Sequence, residues 1–166
     1  MEKLLEKLSS YNILNNLIPG GAFVWLCGLF GIQFISSSSI LEMLFIYYFL
    51  GMIVSRVGSL AIETLCKKIK IITYSSKQDY VEATKKDKLI EVLLETSNLY
   101  RTCAGMILTV GICRIYTFVS KQFNIPHEIT VWMIIVVLLI LFVTAFCKQT
   151  KHISSRVEVA NKSQEE

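Results

Sequence analysis

The feature that most constrains this chain is the separation of its charged residues from long apolar segments. Charged side chains crowd into residues 1–7, 56–101 and 148–166, and the segments between these clusters are nearly bare of charge. Charged residues make up 18% of the chain, whereas an average soluble domain has about 25%. The chain therefore lacks the charge that a water-facing surface needs, and we expect it to partition into a membrane.

Four apolar segments have the length of a membrane-spanning helix. A bilayer core about 30 Å thick requires roughly 20 residues, because a helix rises about 1.5 Å per residue. The predicted spans are 17–34, 40–57, 102–119 and 129–146. The second span continues without proline into helix-compatible sequence, and the polar stretch before the third span also reads as helix, favoured from about Asp87 by an acidic N-cap. The predicted fold is all-α: a four-helix transmembrane bundle with spans two and three extended into a cytoplasmic helical hairpin of residues 60–100.

The predicted organisation has three parts. Residues 1–16 are predicted to form an amphipathic helix lying in the membrane interface, with a cytosolic helix packed on the bundle as the alternative. Pro19 and the two glycines after it predict a bend between this helix and the first span. Residues 17–148 form the bundle with its hairpin, and 149–166 form a polar cytoplasmic tail that frays toward its end.

The distribution of Lys and Arg predicts the orientation. Of the 17 Lys and Arg residues, 15 lie in the segments assigned to the cytoplasm, while Lys121 lies in an external loop and Arg114 inside the third span. Cytoplasmic loops carry an excess of basic residues. We therefore expect a multi-pass membrane protein with both termini in the cytoplasm and the lipid bilayer as its first partner.

Arg114 is the residue whose position most invites a functional interpretation. A charge near the bilayer centre costs several kcal/mol unless it is paired, hydrated or able to reach the interface. By helical rise, Tyr47 and Tyr48 are expected at a comparable depth, which predicts an intramembrane polar layer of these three residues. Arg114 then either lines a water-filled or anion-accessible path through an oligomer, or bonds to the tyrosines and backbone carbonyls and fixes helix packing.

A second candidate group lies at the cytoplasmic boundary. Arg56, Ser59 and Glu63 recur at three- and four-residue spacing and so share one helix face. Counting along antiparallel helices places Glu63 close to the level of Arg101. The sequence therefore predicts a Glu63–Arg101 pair that ties the hairpin together, for which a structural role is favoured.

Small residues predict close helix packing. Gly51, Ser55 and Ser59 follow one another at four-residue steps, and the third span contains Gly105 and Gly111. Such stripes let helices approach closely, either within one chain or between copies. Cys27 and Cys113 are interpreted as small apolar fillers of helix interfaces.

No motif predicts an enzyme. The five cysteines form no CxxC pair, and no Gly-rich phosphate loop, Ser-His-Asp grouping or HExxH is present. We therefore predict no catalytic residue, no cofactor and no metal site. The net charge of +4 does not indicate a nucleic-acid partner, because no basic platform interleaved with aromatics is present. The remaining acidic candidates, Glu82, Asp87, Glu91 and Glu95, are interpreted as a solvated helix face.

Several stretches together resemble a known family. YNILNNLIPG opens the chain, SRVGSLAIE closes the second span, YVEATKKDKLIEVLLETSNLYRT leads into the third, and KQTKHISSRVE follows the fourth. They resemble a family of small, largely uncharacterised four-span bacterial membrane proteins associated with anti-phage defence islands. The N-x-Y-R-T element, residues 98–102, is the most specific part. The resemblance implies the topology and a link to defence, and no activity that can be assigned residue by residue.

Two roles follow from the resemblance. The first is an oligomeric, membrane-perturbing or channel-like effector, which implies a homo-oligomer. The second is a membrane anchor or sensor that recruits a cytosolic defence protein through its hairpin, with Asn98, Tyr100 and Arg56 as contact candidates. A small transporter is disfavoured because no span carries a carboxylate near its middle. An immunity protein against a pore-forming toxin fits the size and topology, but no motif supports it.

Overall fold

The protein is all-helical over the residues that its computed structural model describes, which are 2–34, 39–73 and 75–162. Side chains are described from residue 13 to residue 159 within these ranges, apart from residues 77, 81 and 85. Residues 1, 35–38, 74 and 163–166 lie outside the description. The elements are α1 (Glu2–Leu29), α2 (Ile40–Val57), a π-helical turn (Gly58–Ile62), α3 (Glu63–Lys68), α4 (Lys77–Lys86), α5 (Leu89–Gln122) and α6 (His127–Lys162).

Three helices are long and apolar enough to cross a membrane. They are the continuous run Ile40–Lys68, which comprises α2, the π-helical turn and α3, together with Leu89–Gln122 and His127–Val159. The apolar part of α1 is shorter, at Ile13–Leu29, and spans roughly 25 Å by helical rise. The predicted all-α class is confirmed over the described residues, and three helices there have the length and apolar character that a membrane span needs.

The first helix differs from the prediction at both ends of the first span. No helix boundary separates residues 1–16 from the span, because α1 is one helix with Pro19 inside it. The span was expected to reach residue 34, but the helix ends at Leu29. Gly31 adopts φ +74°, and the N–H of Ile32 donates to the Cys27 carbonyl at 3.0 Å. This arrangement is the glycine-terminated cap that ends many helices.

The hairpin is built from more pieces than the two long helices that the sequence predicts. The helical run through α3 stops at Lys68, well before the middle of the predicted hairpin, and Lys70 adopts a left-handed conformation with φ 58°. Two lysines in the last turn favour this end, because cations interact well with a helix C-terminus. The short helix α4 follows, and Asp87 then begins α5 by accepting a hydrogen bond from the N–H of Leu89 at 2.8 Å.

The predicted tail is also corrected. Helix α6 continues past the fourth predicted span as far as Lys162, without a boundary at residue 148. No glycine or proline interrupts the sequence after Pro126, so nothing local stops a helix that the apolar segment has already begun. Residues 149–162 therefore form a polar helical extension of the last span rather than an irregular tail.

Helices α1, α2 and α5 pack into a three-helix core, while α6 approaches α2 and α4 over short stretches. Phe23, Cys27, Val54, Met106 and Val110 form the buried core. The contact of α1 with α2 depends on glycine, because a Cβ atom on Gly20 would collide with the Tyr47 carbonyl and one on Gly51 with the Asn16 carbonyl.

Candidate functional site

The most connected group of charged side chains is centred on Glu63. Its Oε1 atom accepts a hydrogen bond from Lys67 Nζ at 2.7 Å. Its Oε2 atom accepts from Arg101 Nη1 at 2.9 Å and from Lys148 Nζ at 2.9 Å. The side chain of Glu63 is 7% exposed. We call the group of Ser59, Glu63, Lys67, Arg101 and Lys148 the boundary cluster.

The π-helical turn shapes the boundary cluster from one side. The N–H of Glu63 bonds to the Gly58 carbonyl, whereas in an α-helix it would bond to the carbonyl of Ser59. The Ser59 carbonyl is thereby opened to Lys148, whose Nζ atom donates to it at 2.7 Å and to Ser59 Oγ at 2.8 Å. Single π turns inside α-helices are frequent at functional sites, and here the turn provides an acceptor for a cation from another helix.

Close helix packing brings α5 to the boundary cluster. A Cβ atom on Gly58 would lie 2.5 Å from the Arg101 carbonyl oxygen, and one on Gly105 would lie 2.5 Å from the Gly58 nitrogen. The backbones therefore touch beside the boundary cluster, which leaves Arg101 within reach of Glu63. The predicted Glu63–Arg101 contact is present. A further hydrogen bond joins Thr102 Oγ1 to Ser55 Oγ across the same interface, at 3.5 Å.

Lys148 was not among the residues singled out in the sequence. It is nevertheless the first charged residue after the fourth apolar segment, just as Arg101 is the last charged residue before the third. Two such residues in antiparallel helices reach the same membrane boundary, so the charge pattern contained a signal for their proximity. It could not show that α6 packs next to the π-helical turn, because that depends on tertiary contacts.

The boundary cluster carries more positive than negative charge. Three cations surround one carboxylate, which is an excess of two positive charges. The three N–H donors of Lys148 bond to the Ser59 carbonyl, to Ser59 Oγ and to Glu63 Oε2. Arg101 bonds to Glu63 through Nη1, and its buried Nε atom meets no acceptor in the described part of the chain. Arg101 is therefore a member of the boundary cluster that has unused N–H donors.

The predicted intramembrane polar layer is not assembled around Arg114. The Arg114 side chain is exposed, and its Cζ atom lies 5.8 Å from the centre of the Phe30 ring. Phe30 follows the last residue of α1, so the guanidinium lies where the helix dipole is negative and over an aromatic face. Within the described ranges no hydrogen bond joins Arg114 to Tyr47 or Tyr48, and the Tyr47 ring packs on Gly21.

The sequence predicts the depth of Arg114, Tyr47 and Tyr48 better than it predicts their contacts. Gly105 lies against Val54, and nine residues farther along these antiparallel helices lead to Arg114 and Phe45. Tyr47 and Tyr48 lie two and three residues from that level, which is about 3–5 Å of helical rise. The similar depth therefore does not produce contact, because the arginine and the tyrosines point to different neighbours.

The other predicted contact residues lie around the boundary cluster. Arg56 is exposed and forms none of the ion pairs of Glu63, although it precedes that residue by two turns. Tyr100 is 70% exposed, and Asn98 is half-buried with its carbonyl accepting from Thr102 Oγ1 at 2.9 Å. Of the remaining small residues, Gly51 packs on α1 of the same chain, whereas a Cβ atom on Gly111 would meet nothing within 4 Å. Cys27 is fully buried, with Cys113 packed against the same core.

The arrangement is suited to holding helices together, because hydrogen bonds to Glu63 join α3 to α5 and α6. The boundary cluster brings three cations to one carboxylate, and the Ser59 hydroxyl bonds to Lys148 Nζ. Across the described ranges, no three His, Cys, Asp or Glu side chains come together as metal ligands do. No protein-family model, curated protein or solved structure is found to match the chain. The family resemblance therefore stays a hypothesis, and the function is argued from geometry.

Proposed function

We propose that the chain is a four-span protein of the bacterial inner membrane. Helix α1 supplies the first span, and what supports this is that its residues Asn16 and Gly20 contact Gly51 and Tyr47 in the apolar part of α2. An apolar length of roughly 25 Å is short for the bilayer core, and a locally thinned bilayer accommodates such a helix at modest cost. The basic residues assign the end of the bundle that carries the boundary cluster to the cytoplasm.

Within this topology we propose a membrane-perturbing or channel-like effector in anti-phage defence that acts as a homo-oligomer. The observation that carries the proposal is the separateness of α6. Of its most apolar residues 6% are buried, against 11% in the run Ile40–Lys68 and 22% in α5, and among the described residues it adds none to the buried core. Such a helix can exchange its few contacts for those of another copy while α1, α2 and α5 stay packed.

The boundary cluster is suited to control that exchange. Lys148 ties α6 to the π-helical turn, the rings of Phe142 and Phe49 lie 6.3 Å apart, and Tyr116 donates to Thr130 at 2.7 Å. Helix α4 of the hairpin contacts both α5 and α6. A cytosolic signal that moves α4 is therefore passed to α6 directly, and release of Lys148 frees the cytoplasmic half of α6.

Lys148→Met tests the proposal. Hydrogen bonds to charged groups contribute about 1.5–3 kcal/mol each, so loss of even one raises the population of released α6 by roughly 10- to 150-fold. We expect cells that produce this variant to lose their membrane potential without infection, as a protonophore makes them do, while wild-type cells lose it only after infection. The measurement is the fluorescence of a potential-sensitive dye.

The matched control is Lys151→Met, one turn farther along α6, where the lysine is exposed and makes no ion pair with Glu63. This variant should behave like the wild type. An unchanged membrane potential in infected wild-type cells and in Lys148→Met cells alike would eliminate the effector. If both lysine variants depolarise, the cause is the charge of α6 rather than its attachment.

The anchor is the second candidate, and a specific feature of the hairpin favours it. Apolar side chains are exposed on the side assigned to the cytoplasm, both before the hairpin turn and after it. They are Leu65, Ile69, Ile71, Leu89, Val92 and Leu93. A soluble surface seldom leaves such a group uncovered, so these residues are suited to contact a cytosolic defence protein.

Phage protection distinguishes the two candidates. Tyr100 is 70% exposed and precedes Arg101 in the chain, so Tyr100→Ala changes a surface without opening the core. If the chain is an anchor, this variant should lose protection in a plaque assay while Arg114→Ala keeps it. If the chain is an effector in which the exposed Arg114 lines a path between copies, the opposite pattern is expected. Immunoblotting of membrane fractions shows whether both variants accumulate equally.

A further inference from the structure

The boundary cluster lies at the height where three helices leave their apolar segments. The second predicted span ends at residue 57, the third begins at residue 102 and the fourth ends at residue 146. Each limit has a residue of the boundary cluster within two positions: Ser59 after the second span, Arg101 before the third and Lys148 after the fourth. Hydrogen bonds and backbone packing bring all three to Glu63. The boundary cluster is therefore at the level of lipid headgroups in the leaflet that it faces.

Arg101 is open to a further acceptor. Its side chain is 28% exposed, and Nη1 is the atom that bonds to Glu63. A guanidinium has five N–H donors in a planar fork; with Nε buried and one Nη1 donor on Glu63, the donors left for a second anion are those of Nη2 and the other one of Nη1. The positive excess of the boundary cluster attracts such an anion, and Lys68, Lys70 and Lys151 add exposed positive charge at the same end of the bundle.

We propose that Arg101, in the field of the boundary cluster, binds the phosphate of an anionic phospholipid in the cytoplasmic leaflet. The arginine fork matches the oxygens of a phosphodiester. Basic pockets between membrane helices bind anionic headgroups, and the acyl chains have apolar surface to lie on, because α5 and α6 expose Ile107 and Phe146. A soluble phosphate offers the same charge without that apolar contact.

This inference rests on the proposed membrane placement and not on the effector activity. A lipid bound at Arg101 shares the boundary cluster with Lys148, so its headgroup is positioned to influence the attachment of α6. Binding is measurable in purified protein without phage or membrane potential. A failure of the lipid experiment therefore leaves the effector standing, and a failure of depolarisation leaves the lipid site standing.

The experiment is a thermal unfolding titration of the full chain in a non-ionic detergent. Trp25 and Trp132 report unfolding by their fluorescence, and phosphatidylglycerol, phosphatidylcholine or inorganic phosphate is added. We expect phosphatidylglycerol to raise the unfolding midpoint at roughly tenfold lower concentration than phosphatidylcholine, the effect of one charge-assisted hydrogen bond. Inorganic phosphate should give no comparable rise.

Arg101→Gln should abolish the preference for phosphatidylglycerol, and Arg156→Gln, on the exposed extension of α6, should keep it. Because Arg101→Gln also removes a bond to Glu63, Arg101→Lys is the second variant: it keeps the charge, lacks the fork and should lose most of the preference. Equal responses of the wild type to both lipids, or an unchanged preference in Arg101→Lys and Arg101→Gln, would overturn the proposal. An equal response to inorganic phosphate would assign the site to a soluble anion instead.

Discussion

Gly51→Ala is expected to destabilise the protein by about 3 kcal/mol or more, whereas the same substitution at Gly111 should be neutral or stabilise it by up to about 1 kcal/mol. A Cβ atom on Gly51 would collide with the backbone carbonyl of Asn16. A backbone atom cannot turn aside as a side chain can, so α1 must move away from α2. Gly111 has open space around it, and alanine there improves helix propensity.

The free energy of unfolding of both variants is measured by denaturant titration in detergent, with tryptophan fluorescence as the signal. The two substitutions add one methyl group each to a glycine inside an apolar helix, so their difference isolates the contact between α1 and α2. Equal effects would show that Gly51 does not set this approach. A large loss at Gly111 would show that its open face is covered by a second copy of the chain.

The sequence predicted the helices better than the places where they end. Length and hydropathy are properties of a segment by itself, and they located the apolar stretches of α2, α5 and α6. The ends of α1 and α3 depend on single residues with left-handed backbone, Gly31 and Lys70. A glycine at such a position is a recognisable signal, but a lysine is not, so the early end of α3 could not have been predicted.

The candidate site was likewise predicted only in part. The contact of Glu63 with Arg101 was predicted because both lie at a boundary that the apolar pattern defines. The participation of Lys148 could not be predicted, because it depends on which helix packs beside the π-helical turn. No local sequence pattern specifies that helix. Arg114 was expected beside tyrosines at its depth, but it meets Phe30, because helical rise gives the height of a residue and not the face on which it points.

The distribution of packing also changes how the bundle is understood. Four apolar segments of similar length suggest four equivalent helices, yet the buried core comes from α1, α2 and α5 alone within the described residues. Glycines allow α1 and α5 to touch α2 at backbone distance, and the apolar segment of α6 contains no glycine. Helix α6 therefore packs at the edge of the bundle, and polar contacts at its ends provide much of its attachment.

Glu63→Gln is expected to destabilise the protein by about 3 kcal/mol, because removal of one partner of a buried ion pair leaves unbalanced charge. The value lies at the lower end of the usual range, since Arg101 and Lys148 remain 28% and 25% exposed and water can reach them. The same denaturant titration measures it. Glu82→Gln is the matched control: the residue is exposed on α4, and a change within about 0.5 kcal/mol is expected there.

The order of effects within the boundary cluster tests whether Glu63 is its centre. Lys148→Met leaves the carboxylate with two cations, so its cost should be smaller than that of Glu63→Gln, and Lys67→Gln, at a side chain that is 44% exposed, should cost least. If Lys148→Met instead lowers the free energy of unfolding by more than Glu63→Gln does, the bond from Lys148 to the Ser59 carbonyl stabilises the protein more than the ion pair with Glu63. The π-helical turn, rather than the carboxylate, would then hold α6 to the bundle.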